Sequence, residues 1–115
     1  MWTDEKNSVA EIIDLNKELV VHPAATFYGR VTGDSMSDAG VAKGDVLVID
    51  KSLDARDGDL AVCFLDGEFM LRRVERTEDG LRLLTANPDC PGTEIAEDAD
   101  FTLWGIVTYV IKKVR

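Results

Sequence analysis

Apolar and polar positions along this chain change places every few residues, and the runs between turn residues are short. Residues 9–14 read as extended. Asp14 is placed to cap a helical turn over residues 15–20, and His22-Pro23 ends it. Residues 25–32 are β-branched and aromatic and read as a strand that Gly33 breaks. Ser35 to Ala39 fits one helical turn closed by Gly40. Then Gly44-Asp45 precedes the strand 46–49, and Gly58-Asp59 precedes the strand 60–65. Asp66-Gly67 is the strongest hairpin signal and joins that strand to 68–76. Asp79-Gly80 turns into 81–85, a Pro-containing loop follows over 87–92, and the last strand runs 101–112. That strand is apolar on both faces through Leu103-Trp104-Gly105-Ile106-Val107, which places it deep in a sheet or at a subunit contact. About seven short strands with few helical stretches predict a mostly β fold with tight turns.

Composition narrows the function. The chain has 115 residues and is 45% hydrophobic, which fits one globular domain, here residues 11–115 behind a flexible arm at 1–10. The net charge is −9, shared as −5 over residues 1–57 and −4 over 58–115. Neither half is a basic module, so direct binding to a phosphate backbone is disfavoured. No apolar run reaches membrane-spanning length and no secretory leader pattern opens the chain. Cys63 and Cys90 form no CxxC pair; Cys63 sits in an apolar run and reads as a buried free thiol. A reducing cytoplasm suits this usage. No metal-ligand spacing, phosphate loop or cofactor motif is present, so no cofactor is expected. The one histidine, His22, reads as structural.

Chemistry concentrates at Gly33-Asp34-Ser35-Met36. A serine where a strand enters a helical turn exposes its hydroxyl beside converging backbone N–H groups, which suits a nucleophile with an oxyanion site. The plainer alternative is that Ser35 caps the turn.

Gly33-Asp34-Ser35-Met36, Asp38-Ala39-Gly40, Gly44-Asp45, Val48-Ile49-Asp50, Gly58-Asp59 and Asp66-Gly67-Glu68-Phe69 together resemble the LexA/UmuD family of self-cleaving serine–lysine peptidases. The resemblance is closest to the processed UmuD′ form. It extends through Asp14-Leu15-Asn16, His22-Pro23, Trp104-Gly105 and Tyr109-Val110-Ile111-Lys112, from about residue 11 to the end. It implies a twisted multi-stranded β fold of the LexA/UmuD C-terminal type, a homodimer, Ser35 as nucleophile, and an oxyanion site from the backbone N–H groups of Asp34 and Ser35. It further implies a UmuC-like Y-family polymerase and the RecA filament as partners in SOS translesion synthesis, with DNA contacted only indirectly.

One departure outweighs the match. The family's general-base lysine follows the serine by thirty-seven positions, and that position here is Arg72. Arg73 is no substitute, because one step along a strand points to the other face. Met70, Val74 and Arg76 share the face of Arg72. Burial lowers a lysine's pKa from about 10.4 towards 7. An ordinary arginine keeps its proton far above neutrality and is neutral to only ~10⁻⁷ at pH 7, a deficit of roughly 9 kcal/mol. General-base assistance is worth only about 10²–10⁴ in rate. The resemblance implies a cleavage point, a small residue before glycine in an N-terminal arm, and residues 1–10 are expected to be too short an arm to carry it. The chain is expected to start about where the processed form starts, and Ala39-Gly40 lies too close to the nucleophile to fold back as substrate. The expectation is a non-catalytic accessory subunit. Alternatives are a peptidase with Ser35 activated by another group such as Lys51, a repressor body, or a plain dimerisation domain.

Overall fold

The computed structural model describes residues 11–33, 36, 39–78, 80–85, 93–94 and 100–115. The expected arm at 1–10, most of the turn from Ser35, Asp79 and the 87–92 loop lie outside the described residues.

The helical turn forms as α1 (Leu15–Leu19), with the Asp14 side chain accepting from the Asn16 amide at 3.0 Å. Residues 11–14 form no strand. The apolar side chains before the helix are spaced for neither a sheet face nor a buried stripe, and α1 buries none of its residues. Pro23–Ala25 is a 3₁₀ turn, as proline at the first helical position favours.

Among the described residues seven strands follow: β1 (Thr26–Arg30), β2 (Val46–Asp50), β3 (Leu60–Leu65), β4 (Glu68–Thr77), β5 (Gly80–Leu84), β6 (Thr93–Glu94) and β7 (Phe101–Ile111). They form one antiparallel sheet in the order β1-β2-β7-β3-β4-β5-β6. The mostly β expectation holds, and β7 lies inside the sheet, as its two-sided apolar run requires. Asp66 and Gly67 adopt φ of 49° and 88°, both positive as a two-residue hairpin turn demands, and β3 passes directly into β4.

Both faces of the sheet carry a core. Ala61, Cys63, Val74, Leu83 and Ile106 are buried together on one face, with Met70, Phe101 and Leu103 against them. Met36, Val41, Leu47 and Ile49 form the other, joined by Leu60, Val62, Leu71 and Trp104. Alternation along β3 and β4 divides the residues between the two faces. Strand β7 breaks that alternation, because its register shifts against β3 at Val62/Cys63 and against β2 at Val48/Ile49. Trp104 and Thr108 are thereby left without a direct partner, as at β-bulges, which bend a strand and re-aim its side chains. So Phe101 and Leu103 share a face with Ile106, while Trp104 turns to the Met36 face.

Two buried carboxylates tie the ends of this sheet. Asp45 accepts from the Ala42 amide at 2.8 Å and from the Lys112 ammonium, and these hold its carboxyl below the usual 3.8. Asp50 accepts from the Ser52 hydroxyl at 2.6 Å and pairs with His22 Nδ1 at 2.6 Å, with the same downward effect, Ser52 first and His22 second. His22 therefore fastens the turn before β1 to the end of β2, the structural role read from the sequence. A carboxylate with a lowered folded-state pKa stabilises the fold above its unfolded value and loses that contribution as pH falls through the folded one. Thermal stability is expected to hold from pH 7 to about 5 and to fall steeply once pH drops below 3.8. Melting curves across that range check this, and Asp50→Asn should flatten the acid limb.

Candidate functional site

A cleft of about 490 Å³ opens beside Met36, and residues from both faces of β4 border it. One wall is residues 28–33, the end of β1 and the chain beyond it, and the opposite wall is residues 68–72 at the start of β4. Leu47, Ile49, Val62 and Trp104 form the floor between them. The curl of the sheet makes this possible: β1 and β4 are separated by β2, β7 and β3, and the bulges of β7 bend the strand that runs beneath both walls.

The cleft brings two of the sequence-predicted segments together. Gly33 and Met36, which flank positions 34 and 35, line it, and so does Arg72. Met36 is 2% exposed and anchors its turn in the core, with the amides of Ala39 and Val41 donating to the Met36 carbonyl at 3.0 and 3.3 Å. Asp45, through Ala42, closes the same loop from its other end. Asp34 and Ser35, the expected oxyanion and nucleophile positions, lie outside the described residues.

Arg72 is half-buried on β4 opposite Ala61, and its Nη1 donates to the Leu71 carbonyl at 2.7 Å. The expected apolar surround is present: Val74 is fully buried and Met70 packs beside it. The Cys63 thiol reports the same environment. Burial pushes it up to about 11, against a smaller lowering by the Arg72 charge. The thiol is buried and free, as its apolar run implied. Arg73 reaches elsewhere, donating to the Gly58 carbonyl at 2.6 Å.

Sequence reasoning missed the aromatic side of the site. Trp104 meets the edges of Phe27 and Phe69 at centroid distances of 5.3 and 6.0 Å. The Lys51 ammonium lies 4.4 Å from the centre of the Trp104 ring and 5.5 Å from that of Phe27. Lys51, exposed in the turn after β2, is therefore a cation held on aromatic faces. The signal that could have found this is Gly105: a glycine inside an apolar strand marks a bulge or a close backbone approach, and Trp104 precedes it.

Among the described residues no group of three or more His, Cys, Asp or Glu is placed to hold a metal ion, and no helix is long and apolar enough to cross a membrane.

Comparison with known proteins gives this geometry a setting. The family described as Peptidase S24-like matches residues 1–108. LexA repressor 1 of Xanthomonas campestris pv. campestris is 40% identical over 84 residues, 73% of this chain but 42% of that protein. Protein ImpA of Escherichia coli is 36% identical over 104 residues, 90% of this chain and 70% of ImpA. Protein SamA of Salmonella typhimurium is 38% identical over 105 residues, 91% of this chain and 72% of SamA. The chain thus spans less than half of the LexA relative and about seven-tenths of the other two.

Proposed function

The chain belongs to the Peptidase S24-like family, and from that premise we propose that it is a UmuD′-like, non-catalytic accessory subunit of an error-prone Y-family translesion polymerase in the SOS response. One observation carries the reading: Arg72 stands thirty-seven positions after Ser35, where a general-base lysine would be needed. A guanidinium donates hydrogen bonds but cannot accept the serine proton near neutrality. Retention of the scaffold with the base exchanged favours docking over hydrolysis.

In this reading Ser35 keeps the nucleophile position, and the backbone N–H groups of Asp34 and Ser35 keep the oxyanion position without a base to use them. Residues 11–115 are the folded unit. The chain acts as a homodimer in the cytoplasm, binds a UmuC-like polymerase and the RecA filament, and meets DNA through those partners, as a net charge of −9 favours. Exposed Tyr109 and Ile111 on β7 offer apolar surface for the dimer.

Size-exclusion chromatography of the chain with a UmuC-type polymerase is the test. Co-elution as a dimer-plus-polymerase complex is expected. Absence of binding to both the polymerase and RecA filaments overturns the reading. A working peptidase is the second reading, favoured by the retained Ser35 and by an amine, Lys51, resting on the Trp104 ring that floors the cleft.

A further inference from the structure

We propose that the Asp45–Lys112 pair couples the C-terminal end of β7 to the loop 36–45 beside the cleft, so that a second copy docked on that end tightens the loop. This rests on the homodimer proposed above and adds what the dimer does to the site.

The loop leads from the Ser35 position to β2, and Asp45 is where its ties meet. The Asp45 backbone carbonyl accepts from the Val31 amide at 2.9 Å, and its carboxylate accepts from the Ala42 amide at 2.8 Å. The same carboxylate, in a residue only 7% exposed, takes the Lys112 ammonium from just beyond β7. A second contact runs in parallel. Met36 and Val41 are buried at the start of the loop, and Val110 of β7 packs against their cluster. The end of β7 therefore meets the loop at both of its ends. Val31 and Met36 also line the cleft, so a loosened loop alters the cleft's border.

The other side of this strand end is open. Strand β2 pairs with β7 as far as Val46–Ile111, but β3 stops at Ala61–Ile106. Among the described strands none covers residues 107–111 on the β3 side, and Tyr109 and Ile111 are exposed there. Unpaired backbone groups with apolar side chains are a template for another strand. A second copy suits this end best. Two identical segments laid antiparallel satisfy each other about a two-fold axis. Residues 107–111 carry no charge, so two chains of net −9 meet where neither brings any. Antiparallel pairing also sends the two Lys112 side chains to opposite ends of the contact, each drawn off to its own Asp45. Docking orders the end of β7, and an ordered end presents Lys112 to Asp45 at a smaller entropic cost. By linkage, breaking the pair must weaken the dimer.

The test is amide hydrogen exchange of the full chain above and below its dimerisation midpoint, which sedimentation supplies. Residues 39–42 are expected to exchange about 5-fold more slowly in the dimer, the low end of measured couplings. Lys112→Met should bring that ratio below 2-fold, and Lys112→Arg should keep it. Asp45→Asn changes a buried side chain that cannot touch the second copy. It should nevertheless weaken dimerisation by about 25-fold, one 5-fold factor from each copy. Where Lys112→Met does not fold, Asp45→Asn with Lys112→Met serves, since it leaves no unpaired charge. A dimer whose loop exchanges as fast as the monomer's, or whose protection survives loss of the pair, overturns the coupling alone. A dimer indifferent to Tyr109→Glu and Ile111→Glu lies on another surface and also overturns it. A chain that stays monomeric at millimolar concentration overturns the homodimer and the coupling together.

Discussion

Arg72→Lys is expected to cut a peptide containing an Ala-Gly bond that the unsubstituted chain leaves whole. General-base assistance is worth about 10²–10⁴ in rate, so the variant should exceed the parent by at least 100-fold. The surroundings are already suited to a neutral amine. Residue 72 shares a face with Met70 and with Val74, which is fully buried, and lies opposite Ala61, which is also fully buried. Nearby, burial raises the Cys63 thiol to about 11 even against the lowering charge of Arg72. An environment that disfavours a thiolate also disfavours an ammonium, so a lysine there should titrate below its aqueous value of about 10.4. The sign of the pH dependence follows: cleavage rises with pH as the amine loses its proton, then levels off. Adding Ser35→Ala should silence the variant. The cut is read by mass spectrometry between pH 6 and 10. Cleavage by the parent chain that survives Arg72→Ala but not Ser35→Ala would instead move the base to another group, with Lys51 the first to examine.

What could be read from the sequence, and what could not, divides by the range of the forces involved. The Asp66-Gly67 hairpin was legible because two positive φ angles in adjacent residues are a local requirement that few residue pairs meet. The Asp14 cap was legible for the same reason. The interior place of β7 followed from apolar residues on both faces of one strand. The face of Arg72 followed from alternation alone, because β4 pairs with β3 without a register shift. By contrast, the strand β7 breaks alternation twice, and the sequence shows neither bulge directly. Counting by twos from Ile106 misplaces Phe101, Leu103 and Trp104, and with them the floor of the cleft. The pairs Asp45–Lys112 and His22–Asp50 join residues 67 and 28 positions apart, and exist only once β1, β2 and β7 lie side by side. The short strand β6 was likewise missed, since two residues give no period to detect. Position 72 itself came from counting along a resemblance. That the segments around 35 and 72 border one cleft came only from the curled sheet.

Gly105→Ala should be the most damaging single-methyl change in the described chain, although alanine is a better residue than glycine in most elements. The added Cβ would stand 2.5 Å from Ile49 Cγ2, 3.4 Å from Lys51 Cγ and 3.6 Å from the Asp50 carbonyl oxygen. Every other described glycine has at least 3.3 Å of clearance. Ile49 is 3% exposed and packed in the core with Leu47 and Met36, so its methyl has nowhere to retreat. The bulge must open or β2 must shift, and overpacking of this kind costs about 1–3 kcal/mol. The stiffer unfolded chain of the alanine variant offsets only about 0.4–1 kcal/mol. For a domain of this size each kcal/mol moves Tm by roughly 4–8 °C, so a drop of about 5–15 °C is expected on a thermal melt. The cause can be isolated by which atom of Ile49 is removed. Ile49→Val keeps Cγ2 and should leave the penalty of Gly105→Ala in place. Ile49→Ala removes Cγ2, so the double variant should lose less stability than the two single losses together, by about 0.5–3 kcal/mol of coupling. Additive losses would show that the penalty arises elsewhere than at Ile49.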